Sequence, residues 1–163
     1  MRPAMPLVAW AMCVVAACTK AGAHAAAATP GSACDRKLLT PADAAGILSE
    51  PIAGTKPVPG DPQSCEFTTA GFSAITVSLR PGLGRTTVET WTAGRMPVPA
   101  TPLAGVGDEA AWADALTEVI AEKNDLLCDV QVSGLAPSLR RGPAPGQEKA
   151  IGALCNTIFG RIQ

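Results

Sequence analysis

From Cys34 onward the apolar positions repeat with two periods, one helical and one extended. Thr40-Pro41-Ala42-Asp43 places a hydroxyl at an N-cap, a proline at the first helical position and a carboxylate three residues on, which predicts a helix start. The helix runs to about Ser49, buries Leu39, Ala44, Ile47 and Leu48, and stops before Pro51. After a Pro/Gly-rich loop, Ser64–Thr69 and Ser73–Leu79 alternate with period two and predict strands joined by a tight turn at Ala70-Gly71. Cys65 and Phe67 share one face, and Ile75, Val77 and Leu79 share the matching one.

Arg80–Gly84 reads as a turn, Thr86–Arg95 as a short helix presenting Val88 and Trp91, and Met96–Pro102 as a surface connection. Ala110–Ala121 and Leu126–Ser133 flank Asn124-Asp125 and predict a β-hairpin, its second strand sending Leu126, Cys128, Val130 and Val132 to one side. Between Gly146 and Ile162, Ala150, Ile151, Leu154, Cys155, Ile158, Phe159 and Ile162 recur at helical spacing. The expected class is α+β, an antiparallel sheet of about four strands packed against N- and C-terminal helices.

The first 33 residues have neither period. Arg2 precedes an apolar run from Leu7 to Ala17, too short to span a ~30 Å hydrocarbon core as a helix and read as an export signal over residues 1–17. It ends in Val15-Ala16-Ala17-Cys18, which resembles the lipobox of bacterial lipoproteins, whose Cys receives a diacylglyceryl thioether and becomes the new N-terminus. The resemblance implies lipidation at Cys18, with the membrane a partner through fatty-acyl (palmitate-type) chains, and a location on a bacterial membrane facing the periplasm or exterior. The competing reading is cleavage after Ala21-Gly22-Ala23 or Ala23-His24-Ala25. Residues 18–33 have a tether's composition, and 34–163 are expected to form one globular domain.

Composition narrows the classes. In 163 residues, 13 Lys and Arg stand against 14 Asp and Glu, and a net charge of -1 gives no electrostatic reason to expect nucleic acid. Of six cysteines, Cys13 and Cys18 lie outside the expected domain, and an exported context turns Cys34, Cys65, Cys128 and Cys155 into an expected disulfide framework. Loop entropy does not choose among the pairings. Cys128 on the apolar face of the last strand and Cys155 on that of the last helix should meet, which favours Cys34–Cys65 with Cys128–Cys155.

Cys34, the Leu39–Ala44 helix start, Cys65-Glu66-Phe67, Leu103–Ala110 with its Gly105-Val106-Gly107-Asp108 piece, Trp112, and Val130–Ser133 before an amphipathic helix resemble a family of small bacterial cell-envelope lipoproteins. That family, best known from actinomycetes, carries a domain of unknown function. The resemblance implies an antiparallel sheet on helices, lipoprotein export and no assigned activity. Cys128 and Cys155 are not part of the family's pattern, so their pairing rests on this sequence alone.

The chemistry on offer is sparse. His24 is the only histidine and lies in the tether, which removes imidazole catalysis and His-ligated metal from the domain. There is no Cys-x-x-Cys, and Gly82-Leu83-Gly84 lacks the rest of a phosphate loop. Asp108-Glu109 reads as a loop whose Asp bonds its own backbone rather than as a cation site. Arg140-Arg141 reads as a solvated loop. Neither a cofactor nor a metal is expected. The reading is a non-enzymatic, membrane-anchored module binding an envelope protein or small ligand, with Trp91, Met96 and Val98 as its apolar binding face. The alternative is a secreted hydrolase or enzyme accessory working with carboxylates alone.

Overall fold

The computed structural model describes residues 34–134 and 146–162. Helix α1 (Pro41–Leu48) starts as its sequence dictates: Asp43 N–H donates to Thr40 Oγ1 at 3.2 Å while Thr40 N–H donates to Asp43 Oδ2 at 2.8 Å. Seven strands follow: β1 (Ile52–Val58), β2 (Asp61–Thr69), β3 (Ala74–Pro81), β4 (Thr101–Pro102), β5 (Glu109–Ala113), β6 (Glu118–Lys123) and β7 (Leu126–Ser133). Helix α2 (Gly84–Thr92) lies between β3 and β4, and α3 (Gln147–Ile162) ends the described chain.

All strand pairs are antiparallel, in the order β1-β2-β3-β7-β6-β5-β4. The fold is thus α+β, and its sheet has seven strands rather than the expected four. Three departures explain the difference, the smallest being two-residue β4, which pairs with β5 at the end of the stretch expected to be a surface connection. The Pro/Gly-rich stretch after α1 is strand β1, whose Gly54 and Pro57 sit beside register shifts and whose outer side is an edge, where Pro57 costs no ladder hydrogen bond. The run Ala110–Ala121 is two strands, folded back by the 3-10 turn Asp114–Leu116 and by Thr117 at φ 50°.

One face of the sheet carries Cys65, Phe67, Ile75, Val77, Leu79, Cys128, Val130 and Val132, all buried beneath α1 and α3. The two disulfides stitch this core as the sequence argument expected: Cys34–Cys65 ties the chain start to β2, and Cys128–Cys155 ties β7 to α3. The Gly105-Val106-Gly107-Asp108 motif also serves packing. Val106 is buried against Gly152 of α3, where a Cβ would come within 2.6 Å of its Cγ2, and Asn156 clasps the loop by donating to Gly105 O at 2.9 Å and accepting from Gly107 N–H at 3.0 Å. Asp108 bonds across the fold, not to its own backbone: its carboxylate accepts from Asn124 N–H in the β6–β7 turn at 3.2 Å.

Candidate functional site

The second face of the sheet is divided. Over β5, β6 and the start of β7, α2 lays Val88 and Trp91 onto Ala111, Ala113, Ile120 and Leu127 to make a separate apolar cluster. Gly84 permits the approach, since a Cβ there would lie 2.9 Å from Glu122 Cβ, and this contact starts the helix two residues earlier than the sequence suggested. Trp91, expected on an exposed binding face, is 8% exposed and belongs to this cluster, with half-buried Met96 and Val98 packed against it. The sequence expected covering helices at the N- and C-terminal ends, and the Ala-rich β5 is covered on this face by α2 as well.

Beyond the reach of α2, the same face is polar. Strand registers bring Ser64, Glu66 and Thr68 of β2 beside Thr76, Ser78 and Arg80 of β3, then Asp129 and Gln131 of β7, then Glu118 at the start of β6. Ser64, Ser78 and Arg80 form a built network with Asp61 of β2. Arg80 Nη2 donates to Asp61 Oδ2 at 2.9 Å, Ser64 Oγ donates to the same oxygen at 2.7 Å, and the Ser64 and Ser78 hydroxyls lie 2.6 Å apart. Ser64 has one hydroxyl proton and gives it to Asp61, so Ser78 is the donor in the serine pair. The chain therefore has a direction, Ser78 to Ser64 to Asp61, with Arg80 closing it. The Ser64 hydrogen bond is the main reason that the Asp61 carboxyl titrates below its ordinary value.

Next to this chain stand two carboxyls that repel ionisation. Glu118 is 8% exposed, and burial, then the charge of Asp129, push its pKa up to about 8. Asp129 is raised as well, chiefly by burial, with Asp61 adding to the rise and Arg80 opposing it. Burial is thus the first cause of both shifts, and each carboxyl is pushed toward its protonated form. Arg80 Nε is buried with no hydrogen-bond partner among the described residues, leaving one unspent donor in the network.

Two grooves lie elsewhere. One of about 390 Å³ runs between α2 and the chain around β4 and β5, lined by Val88, Thr92, Leu103 and Glu109; another of about 260 Å³ is lined by Leu126, Phe159, Ile162 and Lys123. No group of three or more His, Cys, Asp or Glu side chains with metal-holding geometry occurs among the described residues. Cys18, Arg140 and Arg141 lie outside them. The polar network escaped the sequence reading because its members come from four strands and only register assembles them. Its one sequence signal is the polar half of each alternation, Ser64-x-Glu66-x-Thr68, Thr76-x-Ser78-x-Arg80 and Asp129-x-Gln131. Fold and site together define an α+β domain with a seven-stranded antiparallel sheet, one face helix-covered and the other split between an apolar half under α2 and a polar half. No protein-family model, curated protein or solved structure matches the chain.

Proposed function

We propose that this chain is an exported, lipid-anchored binding module of a bacterial cell envelope, and that it takes its partner or ligand on the polar half-face of β2, β3, β7 and β6. The observation that carries the reading is the half-face itself, a set of polar side chains fixed by mutual hydrogen bonds and left uncovered by any described helix. Such preorganised groups recognise a polar ligand at little further ordering cost. The lipobox-like Val15–Cys18 and the resemblance to envelope lipoproteins support the address. A site-specific photo-cross-linker at exposed Gln131 is expected to yield a discrete adduct in cells, and one at exposed Glu89 on α2 is expected to yield none. Adducts only from Glu89 would refute the half-face. Mass spectrometry of the mature N-terminus is expected to give acylated Cys18; an unmodified start at His24 or Ala26 would refute the anchor.

The Glu118–Asp129 pair supports a second reading, a hydrolase working with carboxylates alone, since two neighbouring carboxyls whose burial raises them toward protonation are a starting point for acid–base chemistry. Turnover of an envelope polysaccharide by purified protein, abolished in both Glu118→Gln and Asp129→Asn, would favour it over binding.

A further inference from the structure

Large apolar side chains break the surface at opposite ends of the sheet. Phe72, at 83% exposure, is far more open than Leu83 at 49% or Ile162 at 37%. It lies in the turn between β2 and β3, at the end of the sheet that also holds Ile52, Ser133 and Thr117. Leu83 and Ile162 belong to the other end: Gly82 N–H, next to Leu83, donates to Asp125 O, and Ile162 lines a groove with Lys123 and Asn124.

The turn holds the Phe72 ring outward. Thr69 N–H donates to Ser73 O at 2.8 Å, Phe72 N–H to Thr69 O at 3.3 Å, and Ser73 N–H to Thr69 Oγ1 at 3.2 Å, so the turn is bonded across its width. Its backbone is seated on the end of β7, where a Cβ on Gly134 would come within 2.4 Å of Phe72 O. Phe72 has a φ of 65°, a left-handed conformation that costs a bulky residue and that a glycine adopts freely. A residue kept at that cost with its ring in water adds nothing to the core. Strain and exposure together point to a contact made outside the molecule.

We propose that the Phe72 turn is the membrane-facing tip of the anchored domain, its ring entering the interfacial layer of the lipid bilayer that holds Cys18. The inference rests on the lipid anchor proposed above.

Chain length makes the contact available. Fifteen residues separate Cys18 from Cys34 and extend at most about 55 Å, more than the roughly 35 Å breadth of a domain of this size, so either end of the sheet can meet the bilayer. Surface chemistry then selects the end. Around the end with Leu83 and Ile162 stand Asp61, Arg80, Asp108, Glu109, Lys123 and Asp125, whose charges would lose water on approach to lipid. At the Phe72 end, Pro51, Ala53 and Ala70 are exposed and uncharged. Glu50 stands beside the turn, its Oε2 lying 2.8 Å from the place of a Cβ on Gly71; Asp114 is in the turn before β6, and Glu148 and Lys149 are in the first turn of α3. With an acid beside the ring, anionic headgroups offer no attraction, so the contact rests on apolar area and is independent of salt. Moving one Phe side chain out of water favours this orientation about tenfold or more. Standing end-on, the sheet leaves the polar half-face open sideways to a partner.

The test couples the mature chain through its Cys18 thiol to maleimide lipid in phosphatidylcholine vesicles, which reads the tip independently of acylation in cells. Hydroxyl-radical oxidation of wild-type Phe72, read by mass spectrometry, is expected to fall several-fold on coupling, while Leu83 stays as reactive as in the uncoupled protein. In Phe72→Trp, the added tryptophan is expected to emit at shorter wavelength on coupling and to be quenched by brominated acyl chains, against the constant signal of buried Trp91 and Trp112. Leu83→Trp is expected to show neither change. Quenching of Phe72→Trp that persists in high salt supports the tip. An unprotected Phe72, equal quenching at the two sites, or quenching that high salt abolishes overturns it. Failure of the anchor shows separately, as an unmodified N-terminus in cells with the vesicle readings intact.

Discussion

The same face of one sheet is treated in opposite ways in its two halves. Over β5 and β6, small Ala111 and Ala113 leave room for α2, and Trp91 fills it; over β2 and β3, Ser64, Glu66, Thr68, Thr76, Ser78 and Arg80 make the face polar, and no described helix lies above. The apolar half is stabilised by removing surface from water, a force without direction. In the polar half a buried group must find a specific partner, and Ser64, at 1% exposure, does so within a chain of hydrogen bonds that has one proton order. Packing therefore sets the first half, and bonding geometry the second.

The largest test of that contrast is to empty the apolar side. Phe67→Ala beneath α1 and α3 and Trp91→Ala beneath α2 are each expected to cost about 3–5 kcal/mol in urea unfolding. A loss under ~1 kcal/mol for Trp91→Ala would make α2 a loose cover rather than a second core. In the polar half, Ser64→Ala deletes the link between Ser78 and Asp61, and about 1–3 kcal/mol should be lost in the same assay. Ser78→Ala removes only the outermost donor and should cost less than Ser64→Ala; the reverse order would break the assigned direction of the chain.

The two sides should also part company with pH. Arg161 of α3 donates to Asp43 at 2.8 Å, and that bond, with Thr40, holds the Asp43 carboxyl down at about 2. A lowered carboxyl contributes stability above its unfolded value of 3.8 and loses it as pH falls through about 2, opposite in sign to Glu118. Asp43→Asn is expected to cost about 1 kcal/mol at neutral pH through its capping role, and to flatten the acid limb of a stability–pH curve. The smallest effect belongs to the β2–β3 turn. Phe72 is 83% exposed at a φ of 65°, so Phe72→Gly should leave stability within about 0.5 kcal/mol of wild type or raise it, as a thermal melt would report.

What was readable beforehand follows the same division. The capping box at Thr40, the alternation through Phe67 and Val77, the Asn124-Asp125 turn, the spacing of Ile151, Leu154 and Ile158, and both disulfides were legible, because local grammar and one apolar face suffice for them. Strand β1 was not, since Gly54, Pro57 and two register shifts erase its alternation. The break between β5 and β6 was hidden because Thr117 enters the left-handed region without a glycine to mark it. The sequence left Trp91 open between a core or groove-lining aromatic and a binding face, and the alanines of β5 place it in the core. Glu118 and Asp129 were only two of fourteen acids until the register of β6 on β7 brought them together.

The order of the strands has a consequence for assembly. The sheet is two local meanders, β1-β2-β3 and β7-β6-β5-β4, joined along the seam between β3 and β7. Each disulfide falls wholly on one side of that seam: Cys34 meets Cys65 across 31 residues and Cys128 meets Cys155 across 27. In an exported chain of the proposed kind, emerging amino end first, Cys34 and Cys65 would meet an oxidant before Cys128, and their loop closes at modest entropic cost. Cysteines that pair in the order they appear need no later exchange of partners. The slow event left is closing the seam, a long-range contact of the kind that sets folding speed.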